Sequence, residues 1–357
     1  MVTIKINGMP ATVPDQSRLI DAIRAEGIDV PSLCYKPGME HYTSCMVCMV
    51  RDNDTGRFIP SCSAMVRDGM DIDASGPEVM EMRAEAVRLL LVEHRAECEA
   101  PCKLVCPKKL DIPLMNRLLT DGKIAEATAL AFETLGDPVA VCTACKGYCD
   151  KACRRKKIDT NISIKNTVIF LGNQFAATSN QQPKPLTPHT AHRTPHTAFN
   201  STLGSVTDEE FKEWLKEARD GAASHTNPST DAEASEEASR CLHCDCRAAH
   251  SCDLRTIAGS LAVKNPRGKF TAHSVNKKIN PVSGLIFEHA KCIKCGLCVR
   301  LGATLIGQPS LCFRGRGFGT IISEPLYHNF VDIINEAAPQ FAEICPTGAL
   351  ELKKGYK

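Results

Sequence analysis

Twenty cysteines in 357 residues, gathered into clumps with short gaps, constrain this chain more than any other feature. A disulfide framework spreads its cysteines along a short secreted chain, whereas short gaps bring several thiols to one loop or helical turn, as metal ligands require. Modules built around metal need only modest apolar cores, in keeping with an aromatic content of 5% and a single tryptophan. The length leaves room for a few such modules. The formal charge of +2 counts every cysteine as a neutral thiol. A cluster held by four thiolates carries about −2 as a unit, so a loaded chain is mildly acidic and no nucleic-acid partner is expected. The sequence opens on a strand pattern without the basic and apolar regions of a signal peptide, and it lacks an apolar run of about 18 residues. No transmembrane segment and a cytoplasmic location, where thiols stay reduced, are therefore expected.

Residues 1–78 read as a small sheet with a cysteine loop. Val2–Ile6 and Ala11–Val13 alternate around an Asn7-Gly8 turn signal, and Ser17–Glu26 has helical spacing up to Gly27. Cys34, Cys45, Cys48 and Cys62 follow as C-x10-C-x2-C-x13-C. Two irons bridged by two sulfides need two thiolates each, which a wrapping loop can supply; a four-cysteine zinc site is the alternative. The spacing, with its Pro31-Ser32-Leu33-Cys34 lead-in and Pro60-Ser61-Cys62-Ser63 exit, resembles the N-terminal 2Fe-2S module of the large iron–sulfur subunit of respiratory complex I and of iron-only hydrogenases. That resemblance implies a β-grasp fold and one 2Fe-2S cluster.

Residues 79–170 read as helical. Glu78–His94 is periodic, with Met82, Ala86, Leu89 and Leu90 on one side and Arg83, Glu85 and Arg88 on the other. Cys98, Cys102 and Cys106-Pro107 come next, then the helical stretches Leu114–Leu119 and Ile124–Leu135, then Cys142, Cys145, Cys149 and Cys153. This order, with Ile112-Pro113 and Ile164-Lys165-Asn166, is similar to the N-terminal domain of the glutamate synthase small subunit and dihydropyrimidine dehydrogenase. The resemblance implies two 4Fe-4S clusters between helices, one on Cys98, Cys102 and Cys153 and the other on Cys106, Cys145 and Cys149. His94 is proposed to complete the first, as in the histidine-ligated cluster of the complex I subunit, and Cys142 the second. Each has a plainer alternative: a histidine at a helix C-terminus, favoured there by the dipole, and a buried thiol without metal.

Residues 171–235 read as a linker. A flavin-binding Rossmann domain follows at this point in the glutamate synthase relatives, and its Gly-rich fingerprint is missing here. Pro183, Pro185, Pro188 and Pro195 mark an extended stretch whose His189, His192 and His196 are not expected to bind metal. Thr207–Asp220 is a short amphipathic helix, and Asp231–Arg240 a charged helical run expected to face solvent. The Gly315–Gly319 run lacks the strand–turn–helix context of a dinucleotide site. No flavin or NAD is therefore expected on the chain, and no catalytic residue is assigned.

Residues 236–357 carry two more sites. Cys241, Cys244, Cys246 and Cys252 suit either zinc or a further 4Fe-4S cluster. Cys292, Cys295 and Cys298 form the tight C-x2-C-x2-C loop that wraps three corners of a cubane, and Cys345-Pro346 resembles the remote ligand of bacterial ferredoxins. Cys312 is left over and expected to be buried as a small apolar residue.

The fold class expected is multidomain α+β: a β-grasp 2Fe-2S domain, an α-helical two-cluster domain and a ferredoxin-like α+β domain. The cofactors expected are one 2Fe-2S cluster, three 4Fe-4S clusters and one site for zinc or 4Fe-4S. The function expected is electron relay in a multisubunit oxidoreductase, between a flavin-containing NAD(P)H-handling subunit and ferredoxin or a second redox subunit, with electron bifurcation by the whole complex. The rival readings are a shortened glutamate-synthase-like reductase and an iron–sulfur or zinc sensing or assembly protein.

Overall fold

Val2–Ile6 (β1) and Met9–Val13 (β2) pair antiparallel from Val2↔Val13 to Ile6↔Met9. Asn7 and Gly8 between them take φ of 51° and 79°, the left-handed backbone of a two-residue hairpin turn. The computed structural model describes residues 1–94, 98–178, 227–248, 251–263, 277–306 and 310–353, with 212, 215 and 218. The helix expected over 207–220 and the histidines at 189, 192 and 196 lie essentially outside these. Contacts divide the chain into two compact units: the described residues of 1–96 and 251–355 form one, and those of 97–195 and 200–250 the other. Cys241, Cys244 and Cys246 fall in the unit that holds the helical region, and Cys252, Cys292, Cys295, Cys298 and Cys345 in the other.

In the first unit, Met49–Asp52 (β3), Arg57–Pro60 (β4) and Asp71–Asp73 (β5) complete a five-stranded sheet of order β2-β1-β5-β3-β4, with β5 parallel to β1 and antiparallel to β3. Leu19–Ala25 (α1) contributes Leu19, Ile20 and Ile23 to one core with Ile4, Ile6, Val13, Val50 and Ile72. Pro77–Glu93 (α2) is rotated from the expected orientation. Val79, Val87 and Leu91 are buried with Ala86, while Met82 and Leu89 are 36% and 64% exposed and Arg83 is only 2% exposed. The reason is local: Arg83 Nε donates to the Met49 carbonyl and Nη2 to the Ala74 carbonyl, both at 2.9 Å. A guanidinium with carbonyl acceptors waiting can be buried, which apolar periodicity alone does not register.

The C-terminal part of this unit has Lys277–Ile279 (β6), Leu285–Glu288 (β7), Cys312–Arg314 (β8), Ile321–Ser323 (β9) and Leu350–Leu352 (β10). β10, β7 and β6 form an antiparallel sheet in that order, and β8 pairs with β9. Gly315–Gly319 merely joins β8 to its antiparallel neighbour. Phe287, Leu311, Ile322, Phe330, Phe341 and Leu350 form the core, to which Cys298 belongs.

The second unit is helical among its described residues. Ile112–Thr120, Ile124–Leu135, Pro138–Ala144 and Ile164–Thr178 surround a core that includes Met115, Leu118, Leu119, Ala131, Val168 and Leu171. Asp111 and Asp137 cap two of these helices, accepting from Leu114 N at 3.2 Å and Ala140 N at 2.9 Å, and each is followed by proline in the first turn. Asp231–Ser239 is not the solvated face expected of it. Glu237 and Arg240 are both fully buried and ion-paired at 2.9 Å. Arg240 also reaches Asp159 at 3.2 Å, and Asp159 pairs with the fully buried Arg155 at 2.6 Å. A buried charge survives by pairing, and here four charges pair with one another. No described helix is long and apolar enough to cross a membrane.

Candidate functional site

None of the twenty cysteines is in a disulfide. The N-terminal four come from three places: the loop after α1 gives Cys34, the stretch before β3 gives Cys45 and Cys48, and the residues after β4 give Cys62. The β3–β4 hairpin brings the last two together, Ser61 donating to the Cys48 carbonyl through its N at 3.2 Å and its Oγ at 2.7 Å. All four are buried. Cys34 is hydrogen-bonded to Cys45 and Cys62, and Cys62 to Cys48, so the thiols touch in sequence around one point. The bond from Cys45 leads in pulling the Cys34 thiol far down, and the bond from Cys62 in lowering Cys48 to about 7. The same bonds, with burial, push Cys45 and Cys62 up, so the four buried thiols share their protons as one close-packed set, a grouping that suits a 2Fe-2S cluster.

Cys292 follows the short helix His289–Lys291, Cys298 lies in Leu297–Ile306, and Cys345 ends Ala338–Ile344. Burial first, and then the charges of Cys292, Cys295 and Cys345, raise the Cys298 thiol, which places these four together. Lys294 and Gly296 take positive φ, 56° and 74°, wrapping the loop so that Lys294 N donates to Cys292 Sγ at 3.3 Å. Amide donors to sulfur of this kind tune a cluster's potential. Cys312 lies on β8 and is half-buried, not buried as expected.

In the helical unit, Cys106 follows Pro101–Val105, Cys142 and Cys145 lie in and after Pro138–Ala144, and Cys149 lies in Tyr148–Ala152. Burial raises Cys142 to about 11, with Cys106 and Cys145 next among the causes, and Cys149 is raised by the same route with Cys106 and Cys142 contributing. The structure thus brings Cys106, Cys142, Cys145 and Cys149 together. Lys165 donates from Nζ to the Cys145 carbonyl at 2.8 Å, a positive charge beside this group that cysteine spacing alone does not reveal.

Cys102 and Cys153 have different company. Burial raises Cys102, and Cys241, Cys244 and Cys153 are the next causes. Cys246 N donates to the Cys98 carbonyl at 3.1 Å. The buried pair of Arg117 with Asp245, 2.5 Å at its shorter contact, fastens this segment to the helix Ile112–Thr120. Of the four cysteines expected to share a site, Cys241, Cys244 and Cys246 belong to this unit, and Cys252, at the start of Asp253–Ser260, belongs to the other. His94 is buried at the end of α2, and its Nδ1 lies 2.8 Å from the Lys291 carbonyl. A carbonyl only accepts, so Nδ1 carries the proton and Nε2 keeps the lone pair. Burial holds this imidazole down at about 4, neutral at pH 7.

Residues 1–76 match the model of the 2Fe-2S iron–sulfur cluster binding domain. The chain is 34% identical over 122 residues to the NADP-reducing hydrogenase subunit HndD of Solidesulfovibrio fructosivorans, a match covering 32% of this chain and 20% of that protein. It is 26% identical over 143 residues to an NADH-quinone oxidoreductase subunit of Mycobacterium bovis, covering 40% of this chain and 17% of that one. With the NADPH-Fe(3+) oxidoreductase subunit alpha of Geobacter sulfurreducens it shares 29% over 98 residues, 28% of this chain and 12% of that protein. The chain thus spans a fifth or less of the length of these relatives. A chain of the crystal structure of an NAD+-reducing NiFe-hydrogenase in the H2-reduced state superposes with a TM-score of 0.50 at 16% identity, covering 99% of this chain and 88% of that one, a likeness of fold. Residues 1–76 are therefore a 2Fe-2S iron–sulfur cluster binding domain, in a chain similar over limited stretches to subunits of a hydrogenase and of NADH-quinone oxidoreductase.

Proposed function

We propose that the chain is an iron–sulfur electron carrier inside a multisubunit oxidoreductase, receiving electrons from a flavin-containing NAD(P)H-handling subunit and passing them to ferredoxin or a second redox subunit. The observation that carries this reading is the convergence of separate groups of unbridged thiols within one chain. The Cys34, Cys45, Cys48 and Cys62 group would hold a 2Fe-2S cluster. The Cys292, Cys295, Cys298 and Cys345 group, and the Cys106, Cys142, Cys145 and Cys149 group, would each hold a 4Fe-4S cluster. A third 4Fe-4S cluster would be drawn from Cys98, Cys102 and Cys153 with Cys241, Cys244 and Cys246; the mutual influence of Cys102, Cys153, Cys241 and Cys244 favours this over a separate zinc site. His94 stays a candidate nitrogen ligand because its Nε2 has the lone pair.

When bound, such clusters supply one-electron chemistry. The chain's own residues supply thiolates, exclude water from them, and place amide N–H groups and cations nearby. The names of the relatives, each an NADP-, NADPH- or NADH-linked oxidoreductase subunit, support the partner assignment. Anaerobic purification from the native source, followed by iron, sulfide, zinc and flavin analysis and EPR of the reduced protein, tests the reading. One 2Fe-2S and three 4Fe-4S signals with a co-purifying flavoprotein are expected. A protein holding only zinc, or one that is itself flavin-loaded, would overturn it.

A further inference from the structure

Arg300 is 4% exposed, two residues beyond Cys298, and its acceptors are all backbone carbonyls. Nη2 donates to Cys34 O at 2.7 Å and to Cys295 O at 3.3 Å, Nη1 donates to Glu40 O, and Nε donates to Gly296 O at 3.3 Å. The guanidinium carbon lies 5.3 Å from the centre of the Tyr42 ring. Two of these carbonyls belong to the loop that begins at Cys34, and two to the loop that carries Cys295. Among the described residues no carboxylate pairs with it. Elsewhere in the chain the fully buried arginines 155 and 240 each have an acidic partner. Arg83, 2% exposed, shows that backbone carbonyls can seat a guanidinium; Arg300 differs in that its carbonyls come from both cysteine loops, so whatever anions those loops hold lie beside its charge.

We propose that Arg300 is a positioning residue that fastens the Cys34–Cys62 site to the Cys292–Cys345 site and, as a permanent cation between them, raises the reduction potential of both clusters. The inference rests on the reading of these two groups as cluster sites. A cluster on four thiolates is an anion of about −2 that becomes more negative by one on reduction. A fixed cation favours the reduced form, and guanidinium stays charged throughout, so Arg300 itself takes up no proton. The same fork sets the approach of the loops: Cys34 acts electrostatically on Cys295, and Tyr42 lies 3.9 Å from where a Cβ at Gly296 would sit.

The test uses the full chain, with dithionite as the one-electron reductant in an EPR-monitored potentiometric titration. Arg300→Gln should keep its iron and lower both potentials, by about tenfold in the reduced-to-oxidised ratio or ~59 mV for one electron. Arg300→Lys, which keeps the charge, should restore most of that shift. In the wild type, reducing the cubane should speed relaxation of the 2Fe-2S signal through dipolar coupling. An Arg300→Gln protein with full iron and unchanged potentials overturns the inference. Should that variant lose iron, the wild-type measurement decides: a 2Fe-2S signal indifferent to cubane reduction overturns it, and enhanced relaxation supports it. A wild type holding no iron–sulfur clusters would instead remove the functional reading beneath it, which is a separable failure.

Discussion

The sheet module of residues 1–76 and the helical unit that begins after it hold their cysteines by different means. In the first, strands and α1 enclose Ile4, Ile20, Ile23 and Ile72, and the four thiols are buried at the edge of that apolar core. In the second, Cys106, Cys142, Cys145, Cys149 and Cys153 are only half-buried, and the segment carrying Cys241 is fixed by ionic contacts. Arg155 donates to the Arg240 carbonyl at 3.1 Å, tying the residues after Cys153 to those before Cys241. The first arrangement tolerates loss of a polar contact because dispersion and burial remain. The second does not, because removing one charge strands its partner in a dry interior.

The largest effect should come from Arg240→Met, which leaves the buried Glu237 without its counter-ion at a cost of about 3–5 kcal/mol. Calorimetry should show the helical unit destabilised, with 4Fe-4S signals falling while the 2Fe-2S signal persists; parallel loss of both would break the contrast. Arg83→Met should cost about 3 kcal/mol, as two carbonyls lose charged donors but no charge is orphaned. Chemical denaturation of the 2Fe-2S module reads this, and a loss equal to that of Arg240→Met would show that charge matters as much there.

A smaller effect concerns acid. Burial, with help from Lys278, holds His289 down at about 4, and its ring stacks 4.0 Å from that of Phe287. In the unfolded chain the imidazole has a pKa of about 6.5 and binds protons first. Stability is therefore full above that value and falls as pH drops from about 6.5 to 4, by about 2 kcal/mol for a ring that keeps some exposure. His289→Gln should flatten this part of a melting-temperature profile. The helical unit has an opposite kind of group: Asp159, held below the usual carboxylate range chiefly by its hydrogen bond with Arg155, gives stability that is lost only in stronger acid. The smallest effect is that of Asp137→Ala, which removes the cap of the helix bearing Cys142 for about 1 kcal/mol; slower loss of iron to a chelator than in wild type would contradict it.

The local elements were legible from the chain, and their partners were not. The Asn7-Gly8 hairpin and the helix Ile124–Leu135 follow from turn chemistry and periodicity. Arg83 and Glu237 are buried for reasons that lie 34 and 74 residues away, at Met49 and at the Ser163 N–H that Glu237 accepts from. A cysteine clump announces that metal is to be bound, but neighbouring cysteines need not share a cluster. Cys102 and Cys106 are four residues apart in sequence, yet Cys102 lies with Cys153, Cys241 and Cys244 and Cys106 with Cys142 and Cys149. Arg300 carried a faint signal, a basic residue just beyond the Cys292–Cys298 loop, whose meaning depends on a carbonyl 266 residues earlier.

That separation has a consequence for synthesis. At roughly 5–20 residues per second, a ribosome needs roughly 15–50 s to travel from Cys34 to Arg300, across the 266 residues between them. The strands and thiols of the first module are made long before the arginine that fastens their loop. Filling that loop and closing it are therefore separate events in time, and the closure must bear the entropy of a long intervening chain.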